Sequence, residues 1–237
     1  MKFAALGAIC FFACATPLLA QGGAAQPAPP IRPHAIVPPA TRPPAVAVAP
    51  DPDAPPPATA EDVRRLHAFA GCVAARRASR SREVLAMDFR TREYSTALID
   101  LAVGERSCAD FPRGQMSRSF FAGRLAEALL ESSLRGTSLA ARIAPNPARP
   151  ALEARDESEL MSLCTVLAAP AAVEALLASD PASEAELASV RGLTPQVAQC
   201  LTAGVTGRFN RSAIRSLLAL AAYRLSEHAG SSPAPAG

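Results

Sequence analysis

Between Thr59 and about Glu227, apolar residues recur every three or four positions, the spacing that lays one apolar stripe along an α-helix. The first stretch opens with Thr59-Ala60-Glu61-Asp62, a hydroxyl acceptor followed three residues later by an acid, as in a capping box. It places Val63, Leu66, Phe69, Ala70 and Val73 on one face, with Arg64, Arg65, Arg76 and Arg77 mostly off it. Shorter helices are predicted over Arg82–Met87 and Arg92–Val103, the second ending at Gly104, a residue that tolerates the left-handed conformation common after helices. A longer helix begins at Ser117 or Ser119, carries Phe121, Leu125, Ala128 and Leu129 on one side, and stops before Gly136. Residues 137–150, with Pro145, Pro147 and Pro150, read as a joint. Beyond it, Glu157–Ala169 carries Leu160, Leu163, Cys164 and Leu167, Pro170 and Pro181 punctuate short helices, and Arg211–Ser226 carries Ile214, Leu217, Leu218, Ala221 and Leu225. β-branched residues are scattered and never alternate strictly, so no strand is predicted.

The second series repeats the first. Sliding the sequence by 92 residues carries Cys72 onto Cys164 and Cys108 onto Cys200, together with Leu85 onto Leu177, Ala86 onto Ala178, Asp88 onto Asp180 and Leu101 onto Leu193. One extra residue in the second copy then sets Arg118-Ser119 on Arg211-Ser212 and Leu125-Ala126 on Leu218-Ala219. Internal duplication decides architecture. The expected fold is all-α, with two tandem, similar lobes of about four helices each, at residues 59–136 and 151–228.

The flanks have a different composition. Residues 1–20 read as an export leader: Met1-Lys2, an apolar run from Phe3 to Leu19, and a cleavage point at Ala20-Gln21 or a few residues later. The run is short for a bilayer span and no basic cluster follows it, so no transmembrane anchor is expected after cleavage. Residues 21–58 are dominated by Pro and Ala and predict a disordered, semi-rigid spacer, and residues 229–237 a frayed tail.

Export implies an oxidising compartment, where the four cysteines of the mature chain allow three pairings. Repeat symmetry selects Cys72–Cys108 and Cys164–Cys200, each closing a loop worth about 3 to 4 kcal/mol in the chain-entropy model. The close thiol pair of a redox motif or zinc site is missing, and no metal is expected. No cofactor fingerprint, phosphate loop or nucleophile elbow is present either. Of the three histidines only His67 lies in the helical region, beside the apolar stripe.

Charge adds more. Every basic residue except Lys2 is arginine, and eight arginines cluster between Arg64 and Arg92, among them Arg76 and Arg77 as partner-binding candidates, whereas the second copy opens with acids. A net charge of +3 and an aromatic content of 5% argue against nucleic acid. Arg118 and Arg211 hold equivalent places at the start of each lobe's long helix, where the backbone dipole disfavours a cation. Each is therefore expected to clamp a carboxylate of its own lobe, with Asp88 and Asp180 as the equivalent partners.

Laid out in this way, the chain resembles a group of exported bacterial proteins of unknown function. These have a leader, a proline-rich spacer and one or two helical Cys repeats ending in Arg-Ser-x-x-Arg and an Ala/Leu-rich helix. Here that ending is Asn210-Arg211-Ser212-Ala213-Ile214-Arg215-Ser216-Leu217-Leu218-Ala219, continuing to Tyr223-Arg224; the first copy departs from it at Ala122. The resemblance spans most of residues 60–227 and implies a compartment and an architecture, not an activity. Elimination favours a non-enzymatic periplasmic or cell-envelope module whose partner is an envelope protein or an anionic polymer. The alternative is a periplasmic enzyme with its site in the groove between the lobes, using His67.

Overall fold

The computed structural model describes residues 59–108, 117–146, 151–202 and 209–230. The expected leader, the spacer up to residue 58 and most of the tail lie outside them. Among the described residues the chain forms helices and no strand: α1 (Ala60–Arg76), α2 (Ala78–Ala86), α3 (Arg92–Gly104), α4 (Arg118–Ser133), α5 (Leu139–Arg142), α6 (Glu157–Ala168), α7 (Pro170–Ala178), α8 (Glu184–Cys200) and α9 (Arg211–Gly230).

Local chemistry sets where these helices begin. Thr59 and Asp62 exchange bonds in a capping box, the Thr59 hydroxyl accepting from the Asp62 N–H at 3.2 Å while the Asp62 carboxylate accepts from the Thr59 N–H at 2.9 Å. Side chains of Thr91, Asp156 and Ser183 cap α3, α6 and α8 in the same sense. Pro170 opens α7, where its missing N–H costs nothing.

The duplication is visible helix by helix. Shifted by the repeat offset, α2 covers α7, α3 starts on the first residue of α8, and α4 starts on the first residue of α9. Backbone bonds follow the same register: Arg77 N–H to Val73 C=O matches Ala169 to Thr165, and Thr91 N–H to Asp88 C=O matches Ser183 to Asp180. Cys72–Cys108 and Cys164–Cys200 are the two disulfides, with Cα atoms 5.8 and 5.7 Å apart.

All of these helices belong to one contact unit, Pro55–Gly237, and share one apolar core. In each lobe the last helix packs on the first, α4 on α1 and α9 on α6, and α4 and α9 form the most extensive pairing of all. They meet at Gly123, where a Cβ would stand 2.4 Å from the Cβ of Ser216. Gly123 and Ser216 are repeat equivalents. A residue touching its own counterpart marks a local two-fold axis, the isologous geometry of a homodimer carried within one chain. Only a residue without a side chain allows this approach.

The structure corrects several expectations. The joint at residues 137–150 is not merely a linker: α5 forms within it, Leu139 is fully buried, and the Leu139 N–H donates to Glu174 Oε2 at 2.9 Å. The second helix starts at Ala78 rather than Arg82, because Arg77 C=O already accepts from Ser81 N–H at 2.8 Å. α8 continues through Pro195 to Cys200, and α9 runs two residues into the expected tail. No single described helix is long and apolar enough to cross a membrane; α6 and α7 qualify only together and are bent by 102°.

Candidate functional site

Two polar regions flank the α4–α9 crossing, and the repeat offset relates them residue by residue. The first is a closed ion cluster. Glu127 of α4 accepts from Arg215 Nε at 3.1 Å and Nη2 at 2.5 Å, from Arg124 Nη1 at 2.7 Å, and bonds His67 Nε2 at 2.9 Å. Arg215 is 0% exposed, and its Nη1 reaches Glu186 Oε1 at 3.2 Å while Nη2 also donates to the Leu177 carbonyl at 2.9 Å. Glu186, likewise 0% exposed, takes Arg211 at 3.1 Å and the N–H of Ala182 at 2.9 Å. Ala182 adopts a left-handed φ of 59°, unusual for a residue with a side chain, and that turn aims its N–H at the carboxylate. Burial alone would raise the Glu127 pKa, but the bonds from His67 and Arg215 and the charge of Arg124 overcome it and hold the group at about 2.

The second region is an open cleft of about 430 Å³. Its walls come from both repeats. Leu85, Phe89, Tyr94 and Arg118 stand on the first, and Arg155, Glu159, Leu217, Leu220 and Arg224 on the second. Arg155 lies 5.3 Å over the Phe89 ring and donates to the Met87 carbonyl at 2.8 Å. Arg224 is paired with Glu159, whose other oxygen accepts from the Arg155 N–H at 2.7 Å. Burial, followed by the nearby Arg155 charge, lowers the Arg224 pKa to about 10, which leaves it cationic at neutral pH. Burial pushes the Tyr94 phenol up to about 12, so it remains a neutral donor. Arg118 is exposed on the cleft wall, with no ion pair or hydrogen bond to another described residue. Three guanidinium groups thus face one carboxylate.

Under the repeat offset the cleft is the counterpart of the ion cluster. Arg118 stands for Arg211, Tyr94 for Glu186, Ala122 for Arg215, Leu217 for Arg124, Leu220 for Glu127 and Glu159 for His67. Where one side fills the space beside the crossing with two large guanidinium side chains and two carboxylates, the other has an alanine, a phenol and two leucines. The leucines make the floor apolar.

The expected clamps fare differently from one another. Arg211 does clamp a carboxylate of its own lobe, but that carboxylate is Glu186 rather than Asp180. Asp88 pairs with Arg90 at 2.6 Å, not with Arg118, and this contact holds its carboxyl far below the usual range. The likeness of Asp88 and Asp180 resides in their backbone carbonyls, which fix the turn before α3 and before α8. Arg76 and Arg77 are engaged internally by Glu105, at 3.2 and 2.8 Å; the Ser107 hydroxyl, helped by Arg77 and Arg76, lowers the Glu105 pKa to about 2. His67 does not line the cleft, since it binds Glu127 in the ion cluster.

Sequence reasoning missed Tyr94, Arg155, Glu159 and Arg224. For Tyr94 a signal existed: it aligns with Glu186 two positions inside well-matched helix starts. Arg155 had none, and the motif that runs on to Arg224 did not say what it meets, because only the packing of α6 on α9 brings the two together. Among the described residues no cluster of three or more His, Cys, Asp or Glu side chains has the arrangement of a metal site. Comparison of the chain with protein-family models, curated proteins and solved structures finds no match.

Proposed function

We propose that the protein is a non-enzymatic binding module of the cell envelope that receives an anionic group of its partner in the cleft between its two repeats. One observation carries this reading. The arginine that opens the long helix is satisfied by a buried carboxylate in the second repeat and by none among the described residues in the first, where it faces a cavity. Two disulfides support an extracytoplasmic setting, since such bonds persist in oxidising compartments. An exported position also agrees with the leader-like start of the chain. The reading of an enzyme built on His67 has no comparable support: its only described carboxylate partner, Glu127, is saturated by two arginines and held ionised.

The test is thermal melting of the full chain at constant ionic strength, with acetate or inorganic phosphate replacing chloride. A bound anion stabilises the folded state by mass action. The melting temperature should rise for the native chain and stay fixed for Arg118→Gln. An equal rise in both would remove the cleft from the account.

A further inference from the structure

We infer that the cleft takes a small apolar monocarboxylate, its carboxylate seated on Arg118 where the second repeat seats Glu186 on Arg211, and its hydrocarbon lying against Phe89, Leu217 and Leu220. This rests on the reading of the cleft as an anion-binding site and specifies its ligand.

The carboxylate follows from the repeat. In the second lobe the guanidinium of Arg211 lies 3.1 Å from Glu186, at the third position of α8. In the first lobe that position of α3 is Tyr94, whose phenol brings no negative charge, and Asp88 is already taken by Arg90. Among the described residues the first lobe therefore has the arginine without the acid, and a ligand can supply from outside what the second lobe carries in its own chain. The guanidinium of Arg155 bonds the Met87 carbonyl and that of Arg224 pairs with Glu159, so Arg118 is the cleft guanidinium with no bond to another described residue. One planar guanidinium matches one planar carboxylate in two parallel bonds.

The apolar body follows from the floor. Leu217 and Leu220 replace the Arg124 and Glu127 of the closed side, and they sit half-buried at the cleft beside Phe89. Half-exposed leucine and aromatic surface gains from being covered. A volume of about 430 Å³ lies near the small end of ligand pockets. A medium-chain acid of the size of decanoate suits it.

Calorimetric titration of the full, disulfide-bonded chain with decanoate, decanol and acetate tests this. Decanoate should bind at least tenfold tighter than either decanol or acetate, and Arg118→Gln should weaken it tenfold or more. Tyr94→Glu, which places in the first repeat the acid of the second, should likewise abolish binding by occupying Arg118 from within. Arg118 is exposed, so Arg118→Gln remains decisive even if Tyr94→Glu folds poorly. Decanol binding as tightly as decanoate would overturn the carboxylate pairing. Acetate acting through Arg118 as strongly as decanoate would overturn the apolar ligand but leave the anion-binding cleft intact. If no anion acts through Arg118, both fall together.

Discussion

The two sides of the α4–α9 crossing were built from one plan and have diverged in opposite directions. On one side Arg215, Arg124, Glu127 and Glu186 form a buried cluster in which every charge has a partner, and because Glu127 belongs to the first repeat and Arg215 to the second, it ties the lobes together. On the other side the same positions hold Ala122, Leu217, Leu220 and Tyr94, and a cavity remains with Arg118 on its wall. A duplicated domain needs only one such tie. Buried ion clusters contribute little net stability against an apolar replacement, although breaking one is costly. The open side forms without those four charged side chains, and its Arg118 is exposed on the cleft wall.

The largest expected effect breaks the closed side. Glu127→Ala leaves Arg124, 2% exposed, without a carboxylate and Arg215, 0% exposed, with Glu186 alone, and should cost about 3 to 5 kcal/mol in chemical denaturation. The same group sets an acid limit. Its pKa of about 2 in the folded state lies below its ordinary 4.5, so its stabilisation is complete above pH 4.5 and is lost as pH falls from there towards 2. In Glu127→Gln that part of the acid dependence of stability should be missing.

Next in size are the disulfides. Both span 36 residues, so the double variants Cys72→Ala/Cys108→Ala and Cys164→Ala/Cys200→Ala should each lose about 3 to 4 kcal/mol under non-reducing conditions. Unequal losses would show that the lobes differ in more than their shared face.

The two-fold axis is tested at Gly123. Gly123→Ala forces its Cβ onto Ser216 and should cost about 1 to 3 kcal/mol. Adding Ser216→Gly should restore most of that loss, since the pair would then be exchanged across the axis. The Ser216 hydroxyl is buried without a hydrogen-bond partner, so losing it carries no bond penalty.

The smallest effects sharpen the comparison most. Arg211→Ala leaves buried Glu186 with one guanidinium fewer and should cost about 1 to 3 kcal/mol. Arg118→Ala should fall within about 0.5 kcal/mol, because nothing among the described residues depends on it. Equal effects at the two positions would mean that Arg118 is a structural residue after all.

The sequence by itself determined the helical class, the duplication and the disulfide pairing. Apolar period, capping residues and cysteine spacing are local properties, and a repeat makes each of them legible twice. It also marked Arg118 and Arg211 as a pair. The tertiary structure alone decided that their environments differ. The substitutions Tyr94 for Glu186 and Ala122 for Arg215 were present in the alignment of the two halves, but they acquired meaning only once α4 and α9 were seen to cross at Gly123 and Ser216. Side chains from helices far apart in sequence, such as Glu127 and Arg215 or Arg155 and Phe89, meet through packing, and no periodicity within one helix records which face of another it will meet. Whether a charged residue is tied or free depends on that meeting, because a charge leaves water only where an opposite charge or a set of hydrogen bonds is already in place.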